Sequence, residues 1–129
     1  MKTLYIVRHG ETDWNKMGKY QGITDIPLNE NGLNQAKACG NALKDVTFDR
    51  ILSSDLSRAL VTAETIRGDR TTSITVDKRL RELNFGDWEA MLFSDIEARW
   101  PGLIDEMYLR PHLVKVPNGE SFKIGRAHV

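Results

Sequence analysis

The sequence predicts an α/β domain built on a mostly parallel sheet flanked by helices. Two observations predict it. Leu4-Tyr5-Ile6-Val7 is a short, continuous apolar run rich in strand formers, the pattern of a strand covered on both faces rather than on one. Beyond it, strand-like and helix-like segments alternate, which is the grammar of βαβ units with right-handed crossovers.

The elements follow in chain order. Residues 4–7 form the first strand. Residues 8–31 form a polar loop punctuated by Gly10, Gly18, Gly22 and Pro27, and loops this long inside a compact domain are usually functional. Residues 32–44 read as a helix, because Leu33, Ala36, Gly40 and Leu43 fall on one stripe, and Asn31 suits its N-cap. Residues 49–53 read as a second strand. Ser54 and Asp55 offer N-caps to a helix over residues 56–66, whose stripe is Leu56, Ala59, Leu60, Ala63 and Ile66; Arg58 lies off that stripe. Ile74-Thr75-Val76 is a candidate third strand. Residues 94–100 read as a helix stopped by Pro101-Gly102, and residues 103–109 as another. From Arg110 the chain reads as irregular, through Pro111, Pro117, Asn118 and Gly119.

Composition bounds the function. A chain of 129 residues suits one compact domain. Its 18 basic and 18 acidic side chains cancel, which excludes a polybasic nucleic-acid arm or an acidic tail as the main function. No apolar run approaches the roughly 18–20 residues of a membrane span. The apolar start stops after Val7, short of the roughly 7–15 residues of a signal-peptide core. The expectation is a soluble, cytoplasmic protein with neither nucleic acid nor membrane as partner. Cys39 is the one cysteine; it allows neither an intrachain disulfide nor a cysteine metal cluster, and it reads as core. No histidine pair has ligand spacing with carboxylates, so no metal is expected. Nothing reads as a dinucleotide fingerprint or a Walker loop, and no cofactor is expected. Trp14, Trp88 and Trp100 read as packing residues.

The chemistry concentrates where the first strand should end, the place where open α/β sheets bind ligands. His9 offers a ring nitrogen as nucleophile. Arg8 offers a planar fork of donors for phosphate, and Gly10 lets the backbone approach a bound group. On these three residues alone, an ordinary solvated loop is an equal alternative.

The wider string decides between them. Arg8-His9-Gly10-Glu11-Thr12, followed by Asn15, Gln21-Gly22 and Leu28-Asn29-Glu30-Asn31-Gly32, closely resembles the opening signature of the histidine phosphatase superfamily, which includes the phosphoglycerate mutases and many small phosphatases. Ser53-Ser54-Asp55-Leu56-Ser57-Arg58-Ala59 with Thr62-Ala63 resembles its second signature. Leu80-Arg81-Glu82-Leu83 with Phe85-Gly86-Asp87-Trp88-Glu89 resembles its third, and Pro117-Asn118-Gly119-Glu120-Ser121 its fourth. One small departure is Ala90, where a Gly often follows the Trp-Glu pair.

The resemblance implies a three-layer, phosphoglycerate mutase-like fold and transfer of a phosphoryl group to a histidine, then to water or another acceptor. His9 would be phosphorylated. Arg8 and Arg58 would clamp the phosphoryl oxygens, where transition-state charge spreads over three atoms. Arg58 also lies at a helix start, where the dipole favours anions; the alternative is a surface pair with Asp55. Glu82 would protonate the leaving oxygen and later activate water. That role needs a pKa raised toward neutrality by burial or nearby negative charge; the alternative is a surface ion pair with Arg79 or Arg81. Asn15 and Gln21 would donate hydrogen bonds to the phosphate and Gly22 a backbone N–H, the alternative being turn chemistry in a polar loop.

Family members carry a second catalytic histidine late in the chain, after an apolar strand and typically before a Gly. Here His112 precedes Leu113 and His128 precedes Val129, and neither matches. The residues Ile124-Gly125-Arg126-Ala127-His128-Val129 look like a translation of a widely used sequencing adapter, ATC GGA AGA GCA CAC GTC. The expectation is therefore a fold incomplete at its C-terminal end: residues 1–123 as the N-terminal portion of the domain, and 124–129 as a non-native tail. A natural tail is the alternative, and the source DNA decides between them. A sheet lacking later strands would also leave the chain poorly soluble or marginally folded.

The leading functional expectation, for the complete gene product, is a phosphatase hydrolysing a small phosphorylated metabolite. Residues 85–89 resemble the small phosphatases, including those resembling α-ribazole phosphatase. Only 34 residues, 83–116, separate Glu82 from Pro117, where mutases generally carry a longer segment. Phosphoglycerate mutase is the runner-up. A non-catalytic fragment without the second histidine is the third reading. Oligomeric state stays open.

Overall fold

The computed structural model describes residues 1–122, so the expectation placed on residues 124–129 lies outside them. The described residues divide into two compact units: Met1–Asp13 with Asp25–Leu80, and Trp14–Thr24 with the described residues that follow Leu80.

The first unit holds a βαβ element. Strand β1 (Ile51–Ser53) pairs in parallel with β2 (Ile74–Val76), Leu52 opposite Thr75, and a helix (Ser57–Arg67) lies between them in sequence. This is the alternation expected from the pattern. We label that helix α3, after α1 (Asp13–Met17) and α2 (Glu30–Ala42). The short α1 interrupts the expected continuous loop of residues 8–31. Helix α2 packs against α3, and Gly40 lets the two backbones approach: a Cβ there would stand 3.1 Å from the Thr65 carbonyl oxygen.

Three expectations are corrected here. Helix α2 starts two residues early and its cap is Asn29, not Asn31; the Asn29 side chain accepts from the Gly32 amide at 2.8 Å. Asn29 wins because Glu11 holds it: its N–H donates to the Glu11 carbonyl at 3.0 Å and its amide group to Glu11 Oε1 at 3.0 Å. Helix α3 has no side-chain cap, and Ser54 Oγ accepts from the Leu56 amide instead. Residues 4–7 are not a strand. Leu4 and Ile6 are 81% and 87% exposed, and among the described residues no strand pairs with them. A strand needs a partner's ladder as well as apolar side chains. Tyr5 does meet Phe48 edge-on, with ring centroids 5.8 Å apart.

Arg70 ties the helix ends of this unit together. It donates to the carbonyls of Leu43, Val46, Ile66 and Arg67 while its guanidinium lies over the Phe48 ring. It thereby satisfies carbonyls at the C-terminal ends of both α2 and α3, which have no partner inside their own helices.

The second unit is built around Trp88. That side chain is fully buried with Ile96, Ile104, Met107, Val114 and Val116. Helix α4 (Phe93–Arg99) supplies Ile96, and α5 (Leu103–Leu109) supplies Ile104 and Met107. Both helices match the sequence pattern within a residue, and the turn between them passes through Gly102 at φ +78°. Phe85 stacks on Trp88 and Tyr20 meets it edge-on, so Trp88 is a packing residue as expected. Residues 19–20 and the segment 90–92 are joined by an isolated antiparallel bridge, with Tyr20 N–H donating to Met91 O and Ala90 N–H to Tyr20 O.

Candidate active site

Among the expected site residues, the first unit carries Arg8, His9 and Arg58, and the second carries Asn15, Gln21, Gly22 and Glu82.

In the first unit, His9 is half-buried and Gly10 buried. The His9 Nδ1 lies 2.6 Å from the Gly10 carbonyl oxygen. A carbonyl can only accept, so Nδ1 is the donor in this contact, and in the neutral tautomer with that proton the ring lone pair lies on Nε2. The Gly10 amide in turn donates to Thr62 Oγ1 at 3.2 Å, and that hydroxyl donates to the Arg58 carbonyl at 2.7 Å. One chain of hydrogen bonds therefore joins the histidine loop to the first turn of α3. Arg58 is 1% exposed, at the second position of that helix, while Arg8 is exposed.

The burial of Arg58 revises the expected face of α3. Its buried positions are Arg58, Thr62 and Ile66, spaced four apart, whereas Ala59, Leu60 and Ala63 are half-buried. Apolar periodicity could not reveal a face built from a guanidinium and a hydroxyl. The spacing of Arg58 and Thr62 by one helical turn was the available signal.

Gly10 and Gly32 fix where the loop lies. A Cβ on Gly10 would overlap the Gly32 carbonyl, and one on Gly32 would overlap the Glu11 carbonyl. The Glu11 amide also donates to Gln35 Oε1 at 2.9 Å. The residues flanking His9 are thus anchored to α2 on one side and α3 on the other.

In the second unit, Gln21 and Gly22 are buried, and Asn15 and Glu82 exposed. The Gly22 amide, expected to serve a phosphate, donates to Glu89 Oε1 at 3.2 Å. Glu89 had no role in the sequence reading beyond its place in the third signature. Its carboxyl is held below its ordinary value: burial pushes it up, and hydrogen bonds from the Thr24 hydroxyl and the amides of Ile23, Thr24 and Gly22 pull it further down.

The first unit thus combines a helix-flanked parallel strand pair, a half-buried histidine bonded to the next carbonyl and a buried arginine at a helix start. The sequence matches the histidine phosphatase superfamily (branch 1) over residues 4–127, and the chain belongs to that family. It is 35% identical to Phosphoserine phosphatase 1 of Hydrogenobacter thermophilus over 94% of this chain and 57% of that protein. It is 36% identical to Probable phosphoglycerate mutase GpmB of Salmonella choleraesuis over 95% of this chain and 57% of that one. The α-ribazole phosphatase of Shigella flexneri superposes with a TM-score of 0.84 at 33% identity, covering 94% of this chain and 60% of that structure. The α/β fold with a parallel sheet flanked by helices is thus the family's own. The chain spans a little over half the length of the curated relatives it matches. Among the described residues no helix is long and apolar enough to cross a membrane, and no group of three His, Cys, Asp or Glu side chains could hold a metal ion.

Proposed function

We propose that the protein is a phosphomonoester hydrolase that acts on a small phosphorylated metabolite through a phosphohistidine on His9. The observation that carries this reading is the His9 ring, whose Nδ1–H donates to the Gly10 carbonyl and so leaves Nε2 as the nucleophilic nitrogen. Nε2 attacks phosphorus, and the ester P–O bond breaks as Glu82 gives its proton to the leaving oxygen. Water then attacks the phosphohistidine with Glu82 as base, releasing phosphate and restoring the ring. Arg8 and Arg58 balance the charge on the transferred oxygens, and Asn15, Gln21 and the Gly22 loop orient them.

Phosphatase is preferred to mutase on the match of residues 85–89 to small phosphatases, and relatives named as phosphatases support it. The mutase reading rests on relatives named GpmB and differs in the acceptor. Incubation with a labelled phosphomonoester, quenched in alkali, should leave an acid-labile label on His9. His9→Ala should abolish both label and phosphate release. Release of inorganic phosphate without transfer to phosphoglycerate supports hydrolysis; transfer favours mutase. Absence of label on the parent chain would sink the reading.

A further inference from the structure

Glu89 gathers five donors onto one half-buried carboxylate. The amides of Gly22 and Thr24 donate to Oε1 at 3.2 and 3.1 Å, and the Thr24 hydroxyl to the same oxygen at 2.6 Å. The amides of Ile23 and Phe85 donate to Oε2 at 3.0 and 3.1 Å. The neighbours of Glu89 complete the grip. Ala90 N–H donates to the Tyr20 carbonyl, and Tyr20 N–H donates to the Met91 carbonyl. The segment 89–91 therefore holds residue 20 on one side and residues 22–24 on the other, and buried Gln21 lies between them. Gly22 fits because it lacks a Cβ, which would overlap the Leu83 carbonyl.

We propose that Glu89 is a positioning residue: its carboxylate holds the loop 20–24 in the conformation in which Gln21 binds a phosphoryl group. This rests on the functional reading above. An ionised carboxylate offers about four acceptor positions over two oxygens, and charge-assisted hydrogen bonds are roughly twice as strong as neutral ones. A glutamine at this position keeps the shape, but it replaces one acceptor oxygen with an NH2 group that faces donors. The loop would then lose part of its frame without any change at Gln21 itself.

The test uses the chain as it stands, with orthovanadate as the phosphoryl mimic. Binding is measured by titration, and the amide resonances of residues 20–24 are followed in parallel. Glu89→Gln should weaken vanadate by about tenfold or more, the equivalent of one charged hydrogen bond, and should broaden or shift the resonances of residues 21–24. Glu89→Asp should recover part of the affinity. Affinity within about twofold of the parent in Glu89→Gln would overturn the proposal while leaving the functional reading standing. A parent chain that binds no vanadate would overturn both. Should Glu89→Gln lose its resonance dispersion, Thr24→Val, which removes one of the five donors, carries the test. A weakening of about threefold supports the proposal, and unchanged affinity overturns it.

Discussion

Gly10 and Gly32 pack backbone against backbone, so close that neither position has room for a β-carbon. This contact sets the loop after His9 against the start of α2, where Asn29 caps the helix and is itself held by Glu11. Gly10→Ala or Gly32→Ala should therefore force backbone movement rather than a rotamer change. Each should cost about 1–3 kcal/mol of stability, read as a lower urea midpoint at unchanged slope. A midpoint equal to the parent's would contradict the contact.

Thr62 joins the same loop to α3 by accepting from the Gly10 amide and donating to the Arg58 carbonyl. Thr62→Val keeps the shape but leaves the buried Gly10 amide unpaired, a cost of about 1–3 kcal/mol. Thr62→Ser should retain most of the parent's stability. Equal melting of the valine and serine variants would show that the hydroxyl does not matter.

Arg70 serves four carbonyls and one aromatic face. Arg70→Met preserves the apolar stem and removes every donor. We expect a loss of about 2 kcal/mol, with Arg70→Lys recovering little because an ammonium lacks the planar fork. Chemical denaturation of the three proteins side by side measures this; a lysine variant as stable as the parent would refute the role given to the fork.

Ala90 sits at φ +68°, where an L side chain is strained and glycine is not. The one departure from the third signature thus falls at a position of strain. Ala90→Gly should stabilise the protein by about 1 kcal/mol, a rise of roughly 3–5 °C in melting temperature for a chain of this size. A lower melting temperature would mean that glycine's entropy in the unfolded chain outweighs the strain.

Glu89 gives the pH dependence a sign. Its folded pKa lies below the ordinary value of 4.5. Such a group contributes stability that is fully present above the unfolded value and is lost as pH falls through the folded one. The stability advantage of the parent over Glu89→Gln should hold at neutral pH and shrink on acidification below 4.5. An advantage independent of pH down to about 3 would show that the carboxylate's charge is not what holds the loop.

The sequence by itself determined the alternation of strand and helix, the strand at residues 74–76, the two helices around Pro101-Gly102 and the His9-Gly10 pair. Each is a local matter of apolar periodicity, turn chemistry or a short motif. Tertiary structure decided what depends on distant partners. Asn29 rather than Asn31 caps α2 because Glu11 holds it. Arg58 and Thr62 form the buried face of α3 because a loop 52 residues from Thr62 supplies a donor. Glu89 gathers amides from 65 to 67 positions away. Leu4–Val7 shows the converse: its apolar pattern records a tendency to be covered, but a strand exists only where another backbone completes its hydrogen bonds. Periodicity carries the burial of apolar side chains. It carries no mark of polar groups that are buried because a remote segment satisfies them.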